Sequence, residues 1–139
     1  MNALAAGVQV SGRAPLAARS AADVVREVLR RERRQALISL AFVGRDRMRR
    51  LNRAFRGRPA TTDVLAFPLP GPSGLAGDIY VCPWVARREA RRRSITAREE
   101  LIRYIVHGTL HVLGYDHPEQ GRESCAMWRR QERYVKALA

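Results

Sequence analysis

Three histidines lie close together in the second half of the chain and are its most informative feature. His107, His111 and His117 are the only histidines of the 139-residue sequence, and all three occur within HGTLHVLGYDH. On a helix, His107 and His111 would project from the same face, so both imidazoles can bind one ion. Gly114 tolerates the left-handed backbone of a helix C-cap, and such a turn would bring His117 back toward that ion. The spacing therefore predicts a three-histidine metal site.

A site with three protein ligands leaves one coordination position open, which is typical of catalytic zinc rather than structural zinc. Water in that position is acidified toward neutrality and serves hydrolysis. We therefore predict one catalytic zinc ion. Nickel, copper and iron remain alternatives, because imidazole ligands suit all of them. Cys82 and Cys125 lie at no spacing that predicts a fourth ligand, and we expect both to be reduced, buried apolar side chains.

The histidine and glycine spacing is also that of the metzincin peptidases, with one departure. Their motif has a general-base glutamate directly after the first histidine, whereas this sequence has Gly108 there. Because peptide hydrolysis by such enzymes needs that carboxylate, a peptidase is the less favoured interpretation. Asp116 is the nearest acidic residue, and we expect it to hydrogen-bond a ligand imidazole, with a role as general base as the alternative.

Hydrophobic periodicity predicts the elements that position these residues. Strands are expected at residues 36–43, 63–68 and 77–81, with the Pro- and Gly-rich PLPGPSGLAG as a surface loop between the last two. Helices are expected at residues 20–34 with Ser20 as N-cap, over GRDRMRRLNRAFRG, from Pro83 through an arginine-rich segment, from the Thr96 and Glu99 capping box to Gly114, and at residues 119–137. No element is predicted in the first 20 residues, which we expect to be a variable or poorly ordered segment.

The sum of these elements is a single α+β domain over residues 1–139, in which a small mixed sheet of three to four strands packs with four to five helices. The fourth helix, apolar on most of its faces, is expected to be the central buried one and to carry the metal site with the loop that follows it. Met127, Trp128, Tyr134 and Val135 are the candidates for packing the last helix against the core.

The charge balance favours a polyanionic partner. The chain has 26 basic and 13 acidic residues and a formal net charge of +13, and nucleic acid is the commonest polyanion that such a protein meets. No apolar run approaches the roughly 20 residues that a bilayer span needs, and the Ala-rich start lacks the features of a secretory signal. We therefore expect a cytoplasmic protein with no membrane association.

The segment HGTLHVLGYDH closely resembles the HGxLHLxGYDH signature of the bacterial YbeY family. Upstream, LNRAFRGRPATTDVLAFP at residues 51–68 resembles that family's LNxxYRxxxxPTDVLSFP block, and AGDIYV at residues 76–81 resembles its LGDIxI strand. The resemblance extends over about residues 36–135 in the same order and spacing. It implies a metal-dependent endoribonuclease that acts in ribosomal RNA maturation and ribosome quality control, with ribosomal RNA, ribosomal proteins or assembly factors as partners.

The resemblance also implies roles for particular residues. His107, His111 and His117 would be the metal ligands, and Arg56 would be the family's functional arginine. The planar fork of donors on a guanidinium suits a phosphodiester, so Arg56 can bind the scissile phosphate and stabilise developing negative charge. We therefore expect Arg56 and His111 to be catalytic residues.

Other positions of the upstream block are kept or changed without affecting a predicted ligand. Thr62 and Asp63 keep the family's residue types, and Asp63 is expected to organise the loop that carries Arg56 by capping backbone donors. The departures are Phe55 where tyrosine is frequent, Ala60 where proline is frequent and Ala66 where serine is frequent.

These observations lead to one main hypothesis and two rivals. The main hypothesis is a zinc-dependent endoribonuclease that prefers single strands, with its general base unassigned. The first rival is a metallopeptidase-like hydrolase, which Gly108 opposes. The second is a non-catalytic RNA-binding factor of ribosome assembly whose metal is structural, which the charge permits equally well.

Overall fold

Four strands and five helices make up the described part of the chain, which in this computed structural model covers residues 7–71, 74–117, 121 and 125–139. In chain order they are β1 (Val8–Ser11), α1 (Ala18–Glu32), β2 (Ala36–Phe42), α2 (Arg45–Arg56), β3 (Val64–Gly71), β4 (Gly74–Val81), α3 (Pro83–Arg93), α4 (Ala97–Val112) and α5 (Ala126–Leu138). The predicted α+β class, with a small mixed sheet and a helical layer, is confirmed.

The strands form one mixed sheet in the order β1-β2-β4-β3. The pairs β1 with β2 and β2 with β4 are parallel, and β3 pairs antiparallel with β4. Ile79 at the centre of β4 lies opposite both Leu40 and Ala66, and this row belongs to the face against which the core helices pack. The edge strand β3 therefore borders the same helical layer that carries the three histidines.

Helix α4 is the centre of the molecule, as predicted. It packs against α1, α3, α5, β3 and β4, and its buried side chains come from nearly every face of the helix. The predicted cap at its start is present, because Oγ1 of Thr96 accepts a hydrogen bond of 3.0 Å from the backbone N–H of Glu99. A helix that is buried on most sides holds its residues in fixed positions, which suits one that presents metal ligands.

Two glycines allow α4 to lie unusually close to the sheet. A Cβ atom on Gly108 of α4 would lie 2.7 Å from Cγ2 of Ile79, and one on Gly77 of β4 would lie 2.5 Å from Cγ1 of Val112. Both distances are shorter than real carbon contacts, so these positions require the absence of a side chain. Gly108 thus makes room on the helix for a side chain of the strand, and Gly77 makes room on the strand for a side chain of the helix.

Several predicted boundaries were wrong. Helix α1 begins at Ala18 with Ala17 as its N-cap, so Ser20 lies inside the helix. The segment predicted as a surface loop mostly belongs to strands, since β3 runs to Gly71 and β4 starts at Gly74. Backbone pairing extends both strands beyond their apolar cores, and the prolines of β3 are tolerated because an edge strand has an unpaired side that needs no N–H donor.

The start of the chain also departs from expectation. Residues 8–11 form β1, and Val8 is fully buried. This strand is too short to show a reliable alternating pattern, and it exists because β2 offers a parallel partner. The chain's last helix starts at Ala126, and the predicted start near Glu119 lies outside the described residues.

The two cysteines differ from each other. Cys82 is buried, as predicted, whereas Cys125 is half-buried and its Sγ caps α5 by accepting from the backbone N–H of Trp128. Neither is in a disulfide. Within the described ranges, no helix has the length and apolar character needed to cross a membrane.

Candidate metal centre

The structure brings the three predicted ligands together at the end of α4. The ring centroids of His107 and His111 are 4.7 Å apart, and that of His117 lies 5.1 Å from the first and 5.2 Å from the second. One nitrogen from each ring falls within 4.8 Å of the others. All three side chains are half-buried, so the group they form is open to solvent on one side. This donor set fits a divalent transition metal.

The turn after α4 delivers the third histidine. Gly114 takes a φ of +104°, a left-handed conformation that a residue with a Cβ rarely adopts. The backbone N–H of Tyr115 donates to the carbonyl of Leu110 over 3.0 Å, which closes the end of the helix. Oδ1 of Asp116 then accepts a hydrogen bond of 2.8 Å from the backbone N–H of His117. The chain is thus turned back toward the helix that holds the first two ligands.

The central imidazole is held neutral. Burial lowers the pKa of His111 to about 4, and the neighbouring His107, His117 and Arg56 act in the same direction, against the opposing effect of Asp116. A neutral imidazole has a lone pair available for a metal at neutral pH, whereas an imidazolium does not. His111 can therefore serve as a ligand at neutral pH without first losing a proton.

A cleft of about 470 Å³ opens over the histidines. Its walls include the side chains that the sequence assigned to the site, namely His107, His111, His117, Arg56, Asp116, Thr62 and Asp63. Arg56 comes from the C-terminal end of α2, and its charge lies close enough to His111 to affect the pKa of that imidazole. The cleft therefore combines a metal-binding donor set with a cationic donor of hydrogen bonds.

The loop between α2 and β3, residues 57–63, is tied to α2 at its middle and is capped at its C-terminal end. Nδ2 of Asn52, a buried residue of α2, donates 2.9 Å to the carbonyl of Ala60. At the C-terminal end, Oδ1 of Asp63 accepts from the backbone N–H of Val64 over 2.7 Å and from the hydroxyl of Thr62 over 3.3 Å. These bonds fix the segment that follows Arg56. No pattern in the sequence marks Asn52 for this role.

The buried carboxylate of Glu32 contacts the turn that carries His117, and no sequence pattern predicted this contact. Glu32, at the end of α1, accepts hydrogen bonds from the hydroxyl of Tyr115 over 2.7 Å, from Arg130 over 2.9 Å and from the hydroxyl of Tyr134. Burial alone would raise the pKa of Glu32, but these three donors outweigh it and lower the pKa below its ordinary value. Glu32 and Tyr115 are 83 residues apart, so no local pattern could have indicated the pair.

Two residues of α5 also reach the cleft. Gln131 is buried, and its Oε1 lies 2.6 Å from Nδ1 of His107. Trp128, predicted as a packing residue, is only half-buried and lines the cleft, whereas the other packing candidates Met127, Tyr134 and Val135 are buried as predicted. A lone glutamine has no sequence pattern that would mark it as a partner of a histidine on another helix.

Position 108 cannot supply the peptidase carboxylate. Gly108 faces the sheet, where Ile79 and Val64 occupy the space that a side chain would need. A glutamate there would have to displace a buried isoleucine before it could act on water. This packing adds a steric argument to the sequence argument against the metzincin interpretation.

The chain resembles known proteins over most of its length. The family model described as "Endoribonuclease YbeY" matches residues 10–139. A Thermotoga protein named Endoribonuclease YbeY is 35% identical over 116 residues, covering 84% of this chain and 77% of the relative. A Bordetella pertussis protein of the same name is 50% identical over 88 residues, covering 62% and 56%. The solution structure of a Thermotoga maritima protein superimposes with a TM-score of 0.68 at 30% identity, covering 94% of this chain and 88% of that one.

Proposed function

The chain belongs to the YbeY family of endoribonucleases, and from this premise we propose that it cleaves single-stranded ribosomal RNA with one zinc ion held by His107, His111 and His117. The observation that supports this most directly is the single cleft in which the three imidazoles and Arg56 meet. Metal ligands alone would fit many hydrolases, and an arginine alone would fit any polyanion. Together they form a site for hydrolysis of a phosphodiester.

The metal is assigned from the chemistry of the donors. Three imidazoles within 4.8 Å of one another suit zinc and leave room for a further ligand. A zinc ion bound there supplies Lewis acidity at the phosphate and lowers the pKa of water. His111, with its depressed pKa, contributes an electron pair without first having to lose a proton.

Arg56 binds the scissile phosphate in this proposal. It comes from the C-terminal end of α2, lines the cleft and lies within electrostatic reach of His111. Two parallel N–H donors match two phosphate oxygens and stabilise the charge that develops as the bond to the leaving oxygen breaks. Asp116, also on the cleft wall, orients the segment that carries His117 by accepting its backbone N–H, and a role as general base is the alternative.

Single-stranded RNA fits the charge of the protein. The net charge of +13 attracts phosphates without reading base sequence. Selection of the cleavage site then comes from the ribosomal particle and its proteins, and the protein works in the cytoplasm where ribosomes are assembled.

The experiment compares cleavage of a single-stranded ribosomal RNA fragment by the wild type, His111→Ala, Arg56→Glu and Arg47→Glu, all purified identically, with zinc content measured on each. Arg47 lies on the same helix as Arg56, is exposed and does not line the cleft. Arg47→Glu therefore reproduces the change in net charge and serves as the matched control.

We expect cleavage by the wild type and Arg47→Glu, loss of cleavage in the other two variants, and loss of zinc only from His111→Ala. Equal cleavage by all four proteins would reveal a contaminating ribonuclease and reject the assignment. Full zinc content with no cleavage by the wild type would instead favour a non-catalytic assembly factor.

A further inference from the structure

A chain of hydrogen bonds runs from the metal site into the interior of the helical layer. It starts at Nδ1 of His107, which lies 2.6 Å from Oε1 of Gln131. It continues from Nε2 of Gln131, which donates 3.0 Å to Oε2 of Glu132. Gln131 is only 1% exposed, so neither half of its amide can exchange these partners for bulk water.

Glu132 decides which way the amide of Gln131 points. If the amide were rotated by 180°, its oxygen would face the carboxylate of Glu132, and two acceptors would lie about 3.0 Å apart with no proton between them. The orientation with Nε2 toward Glu132 avoids this repulsion. The carbonyl oxygen of Gln131 is then the atom that faces His107.

Arg103 in turn fixes Glu132. Its Nε donates a hydrogen bond of 2.8 Å to Oε2 of that carboxylate, and its Nη2 donates one of 2.9 Å to Oε1, so the pair is bidentate. Arg103 is 6% exposed and also donates 2.7 Å to Glu100, which is buried as well. Burial would raise the pKa of Glu132, but the bonds from Arg103 and Gln131 lower it, so this carboxylate stays ionised and remains an acceptor.

An acceptor next to Nδ1 has a defined consequence for the ring. Because Oε1 of Gln131 can only accept, Nδ1 of His107 must carry the proton, and the lone pair of the neutral imidazole is then on Nε2. We propose that Gln131 is a positioning residue that holds His107 in the Nδ1–H tautomer and thereby presents Nε2 to the metal. This inference rests on the metal site of the proposed function and adds how one ligand of that site is selected.

Gln131 differs from a carboxylate in the same position because its side chain carries no charge. The amide is neutral, so it fixes the tautomer and the ring plane without adding a negative charge beside the metal site. Partners of this kind that hydrogen-bond a ligand histidine change metal affinity by about 10- to 100-fold when they are removed. A buried amide, itself oriented by an ion pair, thus sets the tautomer of His107 before a metal ion binds.

The test uses two variants of the full chain. Gln131→Met keeps the length and packing of the side chain but removes the acceptor. Gln131→Glu keeps an acceptor for Nδ1, and when protonated it also reproduces the donor to Glu132. The tautomer of His107 is read from long-range ¹H–¹⁵N NMR spectra of the metal-free protein at about pH 8, above the ordinary imidazole pKa of about 6.5. Zinc affinity is read by competition with a chromophoric chelator.

We expect the Nδ1–H form of His107 in the wild type and in Gln131→Glu. In Gln131→Met we expect the other tautomer or a mixture, with zinc affinity weaker by about 10- to 100-fold. An Nε2–H tautomer in the wild type would overturn the proposal even if Gln131→Met did not fold. Unchanged tautomer and affinity in a folded Gln131→Met would overturn it as well.

The outcome is separable from that of the proposed function. The NMR measurement needs neither zinc nor RNA, so absence of RNA cleavage by the wild type would reject the endoribonuclease assignment and leave the tautomer result standing. Conversely, cleavage that requires His111 and Arg56 but is accompanied by the wrong tautomer of His107 would reject only the role of Gln131.

Discussion

The hydroxyl of Tyr115 donates a hydrogen bond of 2.7 Å to Oε1 of Glu32. This bond joins the turn between α4 and α5 to the end of α1. Because Tyr115 lies two residues before His117, the bond limits the movement of the segment that delivers the third ligand. The position of His117, a proposed metal ligand, therefore depends on a carboxylate of a helix that does not itself reach the cleft.

Tyr115→Phe should weaken zinc binding by about tenfold, since partners that orient a ligand typically contribute at least that much. Tyr134→Phe is the matched control, because Tyr134 also donates to Glu32 but lies on α5, away from the turn. Both variants should lose about 1 kcal/mol of unfolding free energy with the hydrogen bond. Chelator competition and urea denaturation measure the two effects. Equal zinc affinities in the two variants would argue against a special role for the turn.

Glu32 should make stability depend on acid pH. The pKa of its carboxyl is lowered in the folded state, so the unfolded chain takes up a proton first as the pH falls. Its stabilisation is complete above the unfolded pKa of about 4.5 and is lost as the pH drops through the folded pKa. Glu32→Gln should therefore be less stable than the wild type at pH 7, and the difference should shrink by pH 3. A constant difference across urea titrations at pH 7, 5, 4 and 3 would contradict this.

Arg103→Met should be the most destabilising of these changes, by up to about 3–5 kcal/mol, because the buried carboxylate of Glu100 would keep only the more exposed Arg93 as its cation. Arg103 binds Glu100, Glu132 and Glu99. Arg92→Met is the control, since Arg92 forms an exposed pair with Glu89, and such pairs contribute about 0–1 kcal/mol. Urea denaturation at pH 7 compares the two. A similar loss in both variants would show that the buried network has no special energetic role.

Gly108→Ala should destabilise the protein by about 1–3 kcal/mol through overpacking. Alanine in a helix interior normally stabilises relative to glycine by about 1 kcal/mol. A loss of stability in Gly108→Ala would therefore point to a steric clash. In an Ile79→Ala background the added methyl group has room, and Gly108→Ala should become neutral or stabilising. A double-mutant cycle by denaturation tests this, and additive effects would exclude the predicted contact.

RNA binding should be salt-dependent, with Arg56 making one of the phosphate contacts. On a His111→Ala background, which does not cleave, the logarithm of the affinity for a single-stranded oligonucleotide should fall linearly with the logarithm of salt concentration. Arg56→Gln should reduce that slope by about 0.7, the value for one contact on a single strand. Arg19→Gln, on the exposed side of α1, should leave the slope unchanged. Fluorescence anisotropy across a salt series measures both.

Local patterns were enough to predict the parts of the site that are close in sequence. His107, His111 and His117 belong to one helix and its turn, so helical periodicity and one glycine indicate how they meet. The same holds for the cap of α4 at Thr96. Residues brought together only by packing gave no such indication.

Two of the missed residues, Gln131 and Glu32, have partners that are distant in sequence. Gln131 meets His107 across 24 positions and Glu32 meets Tyr115 across 83, and each is a common residue type in an ordinary amphipathic helix. Strand β1 was missed for a related reason, because four residues become a strand only when β2 provides their hydrogen-bonding partners. Propensity describes a segment by itself, whereas these features depend on the partner.

The close packing of α4 on the sheet should also be visible when sequences of the family are compared. Gly108 meets Ile79, and Gly77 meets Val112, so each glycine is tolerated or replaced according to the size of the residue across the interface. Homologues that carry a larger residue at either glycine should carry a smaller one opposite it. The two pairs, 77 with 112 and 108 with 79, should therefore covary, while the histidines beside them do not change.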